Sequence, residues 1–210
     1  VSWPSYKYQG VKNLMPVTIN GNGSITGLSV GGLGSGVVNT ATIADDAVTG
    51  VKQGTGSVIQ VVTATKEDAS TYYGTTYADI SGLSATISGV RSGSKIKVDL
   101  NVHAGYNCNG QLFYFKLFRD STFLPHSSGA TDTFFCTEYS AGTNYNDMLY
   151  NFAFTYIDTH GQSAGSNLVY KIQGMSNSGG CSTFINRMPN SSTVRDQSRL
   201  TLTEIVGWVT

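Results

Sequence analysis

Short runs of alternating apolar and polar residues fill the chain from Ser57 onward. The clearest is 95–103, where every second residue is aliphatic and the residues between are charged or polar. A period of two puts one set of side chains on the buried face of a strand and the other set on the exposed face. The residues this predicts for the core are Ile96, Val98, Leu100 and Val102, with Leu200, Leu202 and Ile205 in a later run.

Nine runs of strand length are separated by clusters of Gly, Ser, Asn and Pro, and none carries a strong helix signal. Regular short strands of this kind predict an all-β, antiparallel sandwich as the head of the protein. The runs are 58–64, 77–87, 95–103, 111–118, 133–137, 148–157, 168–175, 182–186 and 199–206.

Residues 152–157 (FAFTYI) are interpreted as a strand with aromatic side chains on both faces. Such a strand needs cover on both sides, which a second subunit would supply. Arg119, Asp120, Ser121 and Thr122 predict a tight hairpin with a local ion pair.

The segment 20–38 has seven glycines among single apolar residues and no charge. Ordering it alone would cost backbone entropy with little burial in return, so we expect several copies to intertwine as an extended, Gly-rich trimeric stalk over 17–56. Residues 43–50 either form one short helix or stay extended. The predicted trimer-axis residues are Ile25, Leu28, Val30, Leu33, Ile43, Val48 and Val51.

Residues 1–16 combine two prolines with aromatic side chains, including Trp3, Tyr6 and Tyr8. This favours an extended segment that docks on a larger particle over a disordered terminus. The predicted organisation is therefore a docking segment at 1–16, a stalk at 17–56 and a β-sandwich head at 57–210.

Charged residues are only 12% of the chain and the formal net charge is +0. A typical soluble domain has about 25% charged residues, so the polar surface here must come from Ser, Thr, Asn and Gly. A neutral chain has no field to attract nucleic acid, and no run of about 18 apolar residues indicates membrane insertion.

No pattern in the sequence predicts catalysis, a metal site or a cofactor. Asp158 and His160 lack a nucleophile elbow, and the glycine-rich stretch lacks the GK[ST] of a phosphate loop. His103, His126 and His160 are expected to be ordinary solvent-facing or loop histidines. Cys108, Cys136 and Cys181 have no metal spacing and are expected to be buried or half-buried thiols, with at most one intrachain disulfide.

Tyrosines in loops, together with Asn and Ser, make a low-charge surface suited to a glycan or a protein epitope, unless they only close the ends of the sandwich. If successive strands alternate in direction, loops 66–75, 106–110, 158–167 and 187–197 lie at the tip, with Cys108 there and Cys181 near the base. The predicted receptor-binding residues are Tyr72, Tyr73, Tyr106, Asn107, Asn109 and Asn190.

Several phrases, in this order, resemble the C-terminal head of tail fibres and head spikes from marine and cyanobacterial bacteriophages. They are 57–62 (SVIQVV), 75–87 (TTYADISGLSATI), 94–98 (SKIKV), 115–122 (FKLFRDST), 156–159 (YIDT), 168–172 (LVYKI), 183–187 (TFINR) and 198–205 (SRLTLTEI). The phrase ATIADDAVTG at 41–50 is similar to the stem that often precedes that head. The resemblance implies a homotrimeric virion appendage with a jelly-roll-like head, similar in shape to the heads of tumour-necrosis factors, and no catalytic motif.

The expected function is a non-enzymatic, homotrimeric spike or fibre on the exterior of a virion. Its partners would be itself, another virion protein (capsid, collar or tail) through the N-terminus, and a host surface glycan or protein. The alternatives are a decoration that stabilises the particle without binding a receptor, and a secreted bacterial adhesive or matrix protein.

Overall fold

The computed structural model describes residues 53–107, 112–125, 127, 134–137, 148–176 and 179–207, together with the short strands at 18–19 and 25–26. The chain divides into two compact units, Val1–Thr49 and Gly50–Thr210. The division falls before the predicted boundary between stalk and head at residues 56 and 57.

In the first unit, β1 (Thr18–Ile19) pairs antiparallel with β2 (Ile25–Thr26). The chain therefore reverses direction between the two strands, whereas the sequence predicted an extended segment here. The intervening letters NGNGS include the Asn-Gly pairs that favour tight hairpin turns. The predicted helix near 43–50 lies outside the described residues.

The second unit is a sandwich of antiparallel sheets, and its described residues contain no helix. Its strands are β3 (Val58–Lys66), β4 (Ser70–Tyr73), β5 (Ala78–Val90), β6 (Lys95–Tyr106), β7 (Leu112–Arg119), β8 (Thr122–Leu124), β9 (Phe134–Thr137), β10 (Tyr150–Asp158), β11 (Ser166–Ser176), β12 (Ser182–Ile185) and β13 (Ser198–Ile205).

One sheet has six strands in the order β3-β13-β6-β12-β4, with β10 pairing on β6. The other has five strands in the order β5-β11-β7-β8, with β9 pairing on β7. Each sheet thus interleaves early and late strands of the chain, which is the jelly-roll arrangement. The predicted all-β, antiparallel, jelly-roll-like head is confirmed, and β4 and β8 are strands that sequence reasoning missed.

The alternation in β6 and β13 decides which residues form the core. Every apolar residue predicted to face inward in these two strands is less than 10% exposed: Ile96, Val98, Leu100, Val102, Leu200, Leu202 and Ile205. The polar residues between them lie on the outer face of the six-stranded sheet, as the period of two requires, except for Glu204, which is buried.

The prediction of a two-faced aromatic strand at 152–157 is wrong. In β10, Phe152, Phe154 and Tyr156 are alternate residues, and so they share the half-buried face that packs on the core. The opposite face carries the exposed Ala153 and Thr155. The aromatic residues were counted correctly, but the pleat puts all three on one side, so this strand gives no argument for a second subunit.

The predicted hairpin after β7 is present, with Asp120 at φ 54 between β7 and β8. The predicted local ion pair is wrong. Arg119 pairs with Asp158 of β10 instead, while the Asp120 carboxylate accepts a hydrogen bond from the Val169 backbone N–H at 3.0 Å. The side chain of Arg119 therefore links the two sheets rather than its own turn.

Candidate functional site

The two ends of the sandwich differ in chemistry, and the chain enters and leaves at the same one. The Gly56 N–H donates to the Val206 carbonyl at 2.7 Å, and the Val206 N–H donates to the Ser57 carbonyl at 3.0 Å. We call this the entry end. At the opposite, far end, Lys66 pairs with Ser198.

Five of the six predicted receptor-binding residues lie at the far end: Tyr72 and Tyr73 on β4, Tyr106 and Asn107 where β6 finishes, and Asn190 in the loop before β13. Asn109 lies outside the described residues. Tyr73 is 74% exposed, and Asn107 and Asn190 are also exposed. Their role in binding stays a prediction.

Two of the six have structural roles instead of open surfaces. Tyr106 is only 6% exposed and packs its ring 6.0 Å from that of Phe113 and 6.2 Å from that of Tyr150. The half-buried Tyr72 hydroxyl accepts a hydrogen bond from the Ser81 backbone N–H at 3.0 Å. Tyr106 is therefore a core residue and not part of an exposed receptor-binding surface. Tyr72 helps to close this end of the sandwich.

A buried asparagine that the sequence analysis did not single out fixes the far-end loops. Asn186 is 0% exposed and has a φ of 61. Its amide donates to the carbonyls of Lys66 at 2.6 Å and Asp68 at 3.0 Å, and its oxygen accepts from the Ser198 hydroxyl at 2.5 Å. One side chain thus ties together the segment after β3, the end of β12 and the start of β13. The signal in the sequence was an Asn at a strand end, since Asn is one of the non-glycine residue types that most readily adopt a positive φ.

Cys181 also lies at the far end, not near the base as predicted. The next residue, Ser182, donates its N–H to the Asn107 side chain at 2.7 Å. Cys181 forms a disulfide, so the expectation of a free thiol is wrong for it, and the side chain of its partner lies outside the described residues. A structural disulfide is typical of proteins that persist in an oxidising environment.

Strict alternation of strand direction fails for two reasons. The strands β12 and β13 are both antiparallel to β6, so they run the same way. The strand β10 pairs Asp158 with Ile96, so it finishes at the entry end and the following loop begins there. The placement of loop 158–167 at the tip is therefore wrong.

The entry end holds a buried polar network around Glu204, which is 0% exposed. Its carboxylate accepts hydrogen bonds from the Ser94 hydroxyl at 2.6 Å, the Arg91 backbone N–H at 2.7 Å and the Gln60 amide at 2.6 Å. His160, which is 3% exposed, places its Nε2 3.2 Å from the Ser94 hydroxyl. His160 lies in the loop between β10 and β11, which fits the predicted loop setting, but it is buried and does not face solvent.

Ser94, His160 and Glu204 bring together the residue types of a hydrolase triad, but their hydrogen bonds run the wrong way for one. The His160 Nδ1 accepts from the Gln162 backbone N–H at 3.0 Å, so the proton of the neutral ring is on Nε2. A nitrogen that already carries a proton cannot take one from the Ser94 hydroxyl, which itself points to Glu204. Burial also lowers the pKa of His160, against the opposing pull of Asp158. This cluster is suited to structure and not to proton transfer.

A second buried group beside it joins the two sheets. The Asp158 carboxylate, on a residue that is 4% exposed, accepts from the Arg119 guanidinium at 2.6 Å and from the Tyr170 hydroxyl at 2.6 Å. Burial, the hydrogen bond to Asp158 and its charge raise the pKa of Tyr170. Burial alone would lower the pKa of Arg119, but its bonds to Asp158 outweigh this and raise it.

Of the remaining predicted site residues, Ile25 alone falls within the described part of the chain. Ile25 lies in β2, opposite Ile19, and the other trimer-axis residues lie outside the described residues, as do Trp3, Tyr6 and Tyr8. In the part of the chain that the structure describes, no three His, Cys, Asp or Glu side chains converge as a metal site would require. No helix among those residues is long and apolar enough to span a membrane.

No protein-family model matches this chain, and no curated protein matches it. Among solved structures, it is similar to two from infectious bursal disease virus: the structure of the Gx strain, at 10% sequence identity, and the crystal structure of the VP2 subviral particle, at 12%. Both have a TM-score of 0.35, and the match covers 70% of this chain and 37% of the other. This chain thus spans little more than a third of their length, and a likeness at this TM-score carries no argument about role.

Proposed function

We propose that this chain is a non-enzymatic virion structural protein, a homotrimeric spike or fibre whose head binds a host surface glycan or protein. The observation that supports it is the difference in chemistry between the two ends of the head. The entry end is sealed by a buried polar network, while the far end carries the exposed Tyr73 and Asn190. An appendage that projects its head outward needs two ends that differ in this way.

The far end also has the composition of a recognition surface. Tyr73 offers a large, stiff aromatic group with few rotamers to lose, and Asn190 and its neighbours offer adaptable polar groups. Each contact would be weak, and three heads on a spike would raise the avidity. In this proposal the first 16 residues dock on the particle and 17–56 intertwine at the trimer axis.

Particles that lack this chain test the role. We expect intact capsids that no longer adsorb to the host, with adsorption restored by the wild-type chain. Leaky capsids that adsorb normally would favour the particle-stabilising decoration. Recovery of the chain from cell matrix and never from virions would favour the secreted adhesive.

The trimer is tested separately by light scattering on the purified full chain. One chain has a mass of 22.3 kDa, and a trimer would have about three times that. A measured mass of a single chain at micromolar concentration would contradict the intertwined stalk, whatever the particles show.

A further inference from the structure

The far end of the head carries a disulfide, and the three cysteines of the chain leave two candidates for the partner of Cys181. They are Cys108, which follows β6 in the sequence, and Cys136, which lies in β9. Cys181 itself is 6% exposed and directly precedes β12. The pairing of the strands around these cysteines decides which candidate is within reach.

The pairing of β6 with β12 continues up to the residue before Cys181. Thr183 of β12 pairs antiparallel with Tyr106 of β6. One residue further along each strand, the Asn107 N–H donates to the Ser182 carbonyl at 3.4 Å, and the Asn107 side chain accepts from the Ser182 N–H at 2.7 Å. Two hydrogen bonds thus hold Asn107 opposite Ser182.

Continued by one more residue on each strand, this register would put Cys108 directly opposite Cys181. Hydrogen-bonded and non-hydrogen-bonded pairs alternate along an antiparallel ladder, so the pair after Asn107 and Ser182 is a non-hydrogen-bonded one. In such a pair the Cα atoms are about 4.5 Å apart, within the range that a disulfide spans. Because alternate residues share a face, Cys181 lies on the inner face with Thr183, which agrees with its burial.

The other candidate lies on the opposite flank of the sandwich. Cys136 pairs with Phe113 of β7, on the edge of β7 that faces away from β11. The Phe113 ring packs 6.0 Å from that of Tyr106, so β7 lies across from β6. The β12 and β4 side of β6 instead faces β11, since the Ser176 N–H of β11 donates to the Gly74 carbonyl, just after β4, at 3.1 Å.

This arrangement puts β9 out of reach of β12. Two strand spacings of about 4.8 Å each and a sheet spacing of about 10 Å separate their backbones. The Cα atoms of a disulfide are at most about 7 Å apart. A bond from Cys181 to Cys136 would therefore require the sheets to move.

We propose that the disulfide joins Cys108 to Cys181 and fastens the end of β6 to the start of β12. It forms by exchange with a low-molecular-weight disulfide such as oxidised glutathione: the two cysteine thiols lose two protons and two electrons, and the reagent leaves as two thiols. The bond lies beside the row in which Ser182 pairs with Tyr73 on one side and with Asn107 on the other. It stabilises this end whether or not the surface binds a host.

Peptide mapping of the full chain tests the pairing. Cleavage by trypsin after Lys and Arg puts the three cysteines on three peptides, 98–116, 120–171 and 172–187. After alkylation with iodoacetamide without reduction, we expect 98–116 linked to 172–187 and Cys136 alkylated in 120–171. A link between 120–171 and 172–187, or an alkylated Cys181, would overturn the proposal. A covalent dimer on a non-reducing gel would overturn it too, because the bond would then join two copies of the chain.

Two variants separate the candidates a second time. Cys108→Ser should make Cys181 open to alkylation, whereas the matched control Cys136→Ser should keep the linked peptides. Reduction with dithiothreitol should lower the urea midpoint of the wild type and of Cys136→Ser by about 1 M and leave that of Cys108→Ser unchanged. No shift in the wild type, or the same shift in Cys108→Ser, would contradict the pairing. None of these results depends on particle adsorption, so failure here leaves the proposed attachment role to its own test.

Discussion

The entry end and the far end of the head both have to cover the edges of two sheets, and they do it differently. At the entry end, side chains from five strands (β3, β7, β10, β11 and β13) satisfy one another through the buried carboxylates of Glu204 and Asp158. At the far end, one buried asparagine, Asn186, holds together loops whose other side chains are exposed or half-buried. Rigidity at one end therefore comes from many mutual hydrogen bonds, and at the other from a few backbone anchors.

The comparison shows where change would be tolerated. A buried polar network fails as a unit, because each lost partner leaves others unsatisfied in a low-dielectric interior. An exposed loop tip anchored at its base can change its side chains with little effect on folding. We therefore expect stability to depend on the entry end and recognition on the far end.

The largest effect should come from Glu204→Ala. It removes the charged acceptor of the Ser94 hydroxyl, the Gln60 amide and the Arg91 N–H. The hydroxyl and the amide keep only their contacts with the backbone carbonyls of Arg91 and Ser88, and the Arg91 N–H keeps none. We expect a loss of about 3 kcal/mol in the free energy of unfolding. Chemical denaturation measures it, with the exposed Glu67→Ala as the matched control. Equal midpoints for the two variants would contradict the importance of the network.

The far end has one backbone position where we expect a comparable sensitivity. A Cβ on Gly105 would lie 2.7 Å from the Pro189 ring and 2.8 Å from the Met148 carbonyl oxygen. Gly105→Ala should cost about 1–3 kcal/mol, because the two loops would have to move apart. The control is Gly179→Ala, where nothing lies within 4 Å of the new Cβ. If both variants unfold at the same denaturant concentration, the loops are not packed as described.

Acid should weaken the entry end through His160. Burial lowers the pKa of His160 from its ordinary value of 6.5, so the unfolded chain takes up a proton that the folded chain resists. Stability should therefore fall as the pH drops below about 6.5, by at most about 1.4 kcal/mol per pH unit.

The His160→Gln variant should remove this part of the pH dependence, while His103→Gln, on the outer face of the sheet, should retain it. The measurement is the free energy of unfolding between pH 7.5 and 5. A wild-type curve parallel to that of His160→Gln would show that His160 does not resist protonation.

The smallest effect on folding should come from Tyr73→Ala. Its ring is 74% exposed, so we expect a change within about 0.5 kcal/mol in unfolding free energy. In the proposed function the same variant should reduce adsorption of particles to the host, with Tyr72→Phe as the neighbouring variant that keeps the surface. Normal adsorption by Tyr73→Ala would remove this residue from the recognition surface.

The strands could be predicted from the sequence to the extent that apolar and polar residues alternate along them. Residues 95–103 and 199–205 showed their buried faces in the sequence, because a period of two has only one consistent orientation toward a core. The strands β4 and β8 were missed, since four and three residues are too few to show a period. For 152–157 the strand was predicted correctly, but the orientation of its aromatic side chains was not. Aromatic residues at every second position all lie on one face of the strand.

The candidate sites show the limit more sharply. Tyr73 was predicted to lie on an exposed surface and, as the last residue of β4, it is exposed. Tyr106 comes from an equally polar neighbourhood, yet the end of β6 turns it into the aromatic cluster. Nothing local distinguishes the two, because burial depends on which distant strand lies opposite.

The sequence by itself determined the class of the fold, since alternating short strands, turn residues and low charge are compatible with few architectures other than an antiparallel sandwich. Only the tertiary structure decided that Arg119 pairs with Asp158 and that His160 is buried beside Glu204. These groups are tens of residues apart in the chain, and strand direction and register bring them together. Register is a property of paired strands, so no single segment encodes it.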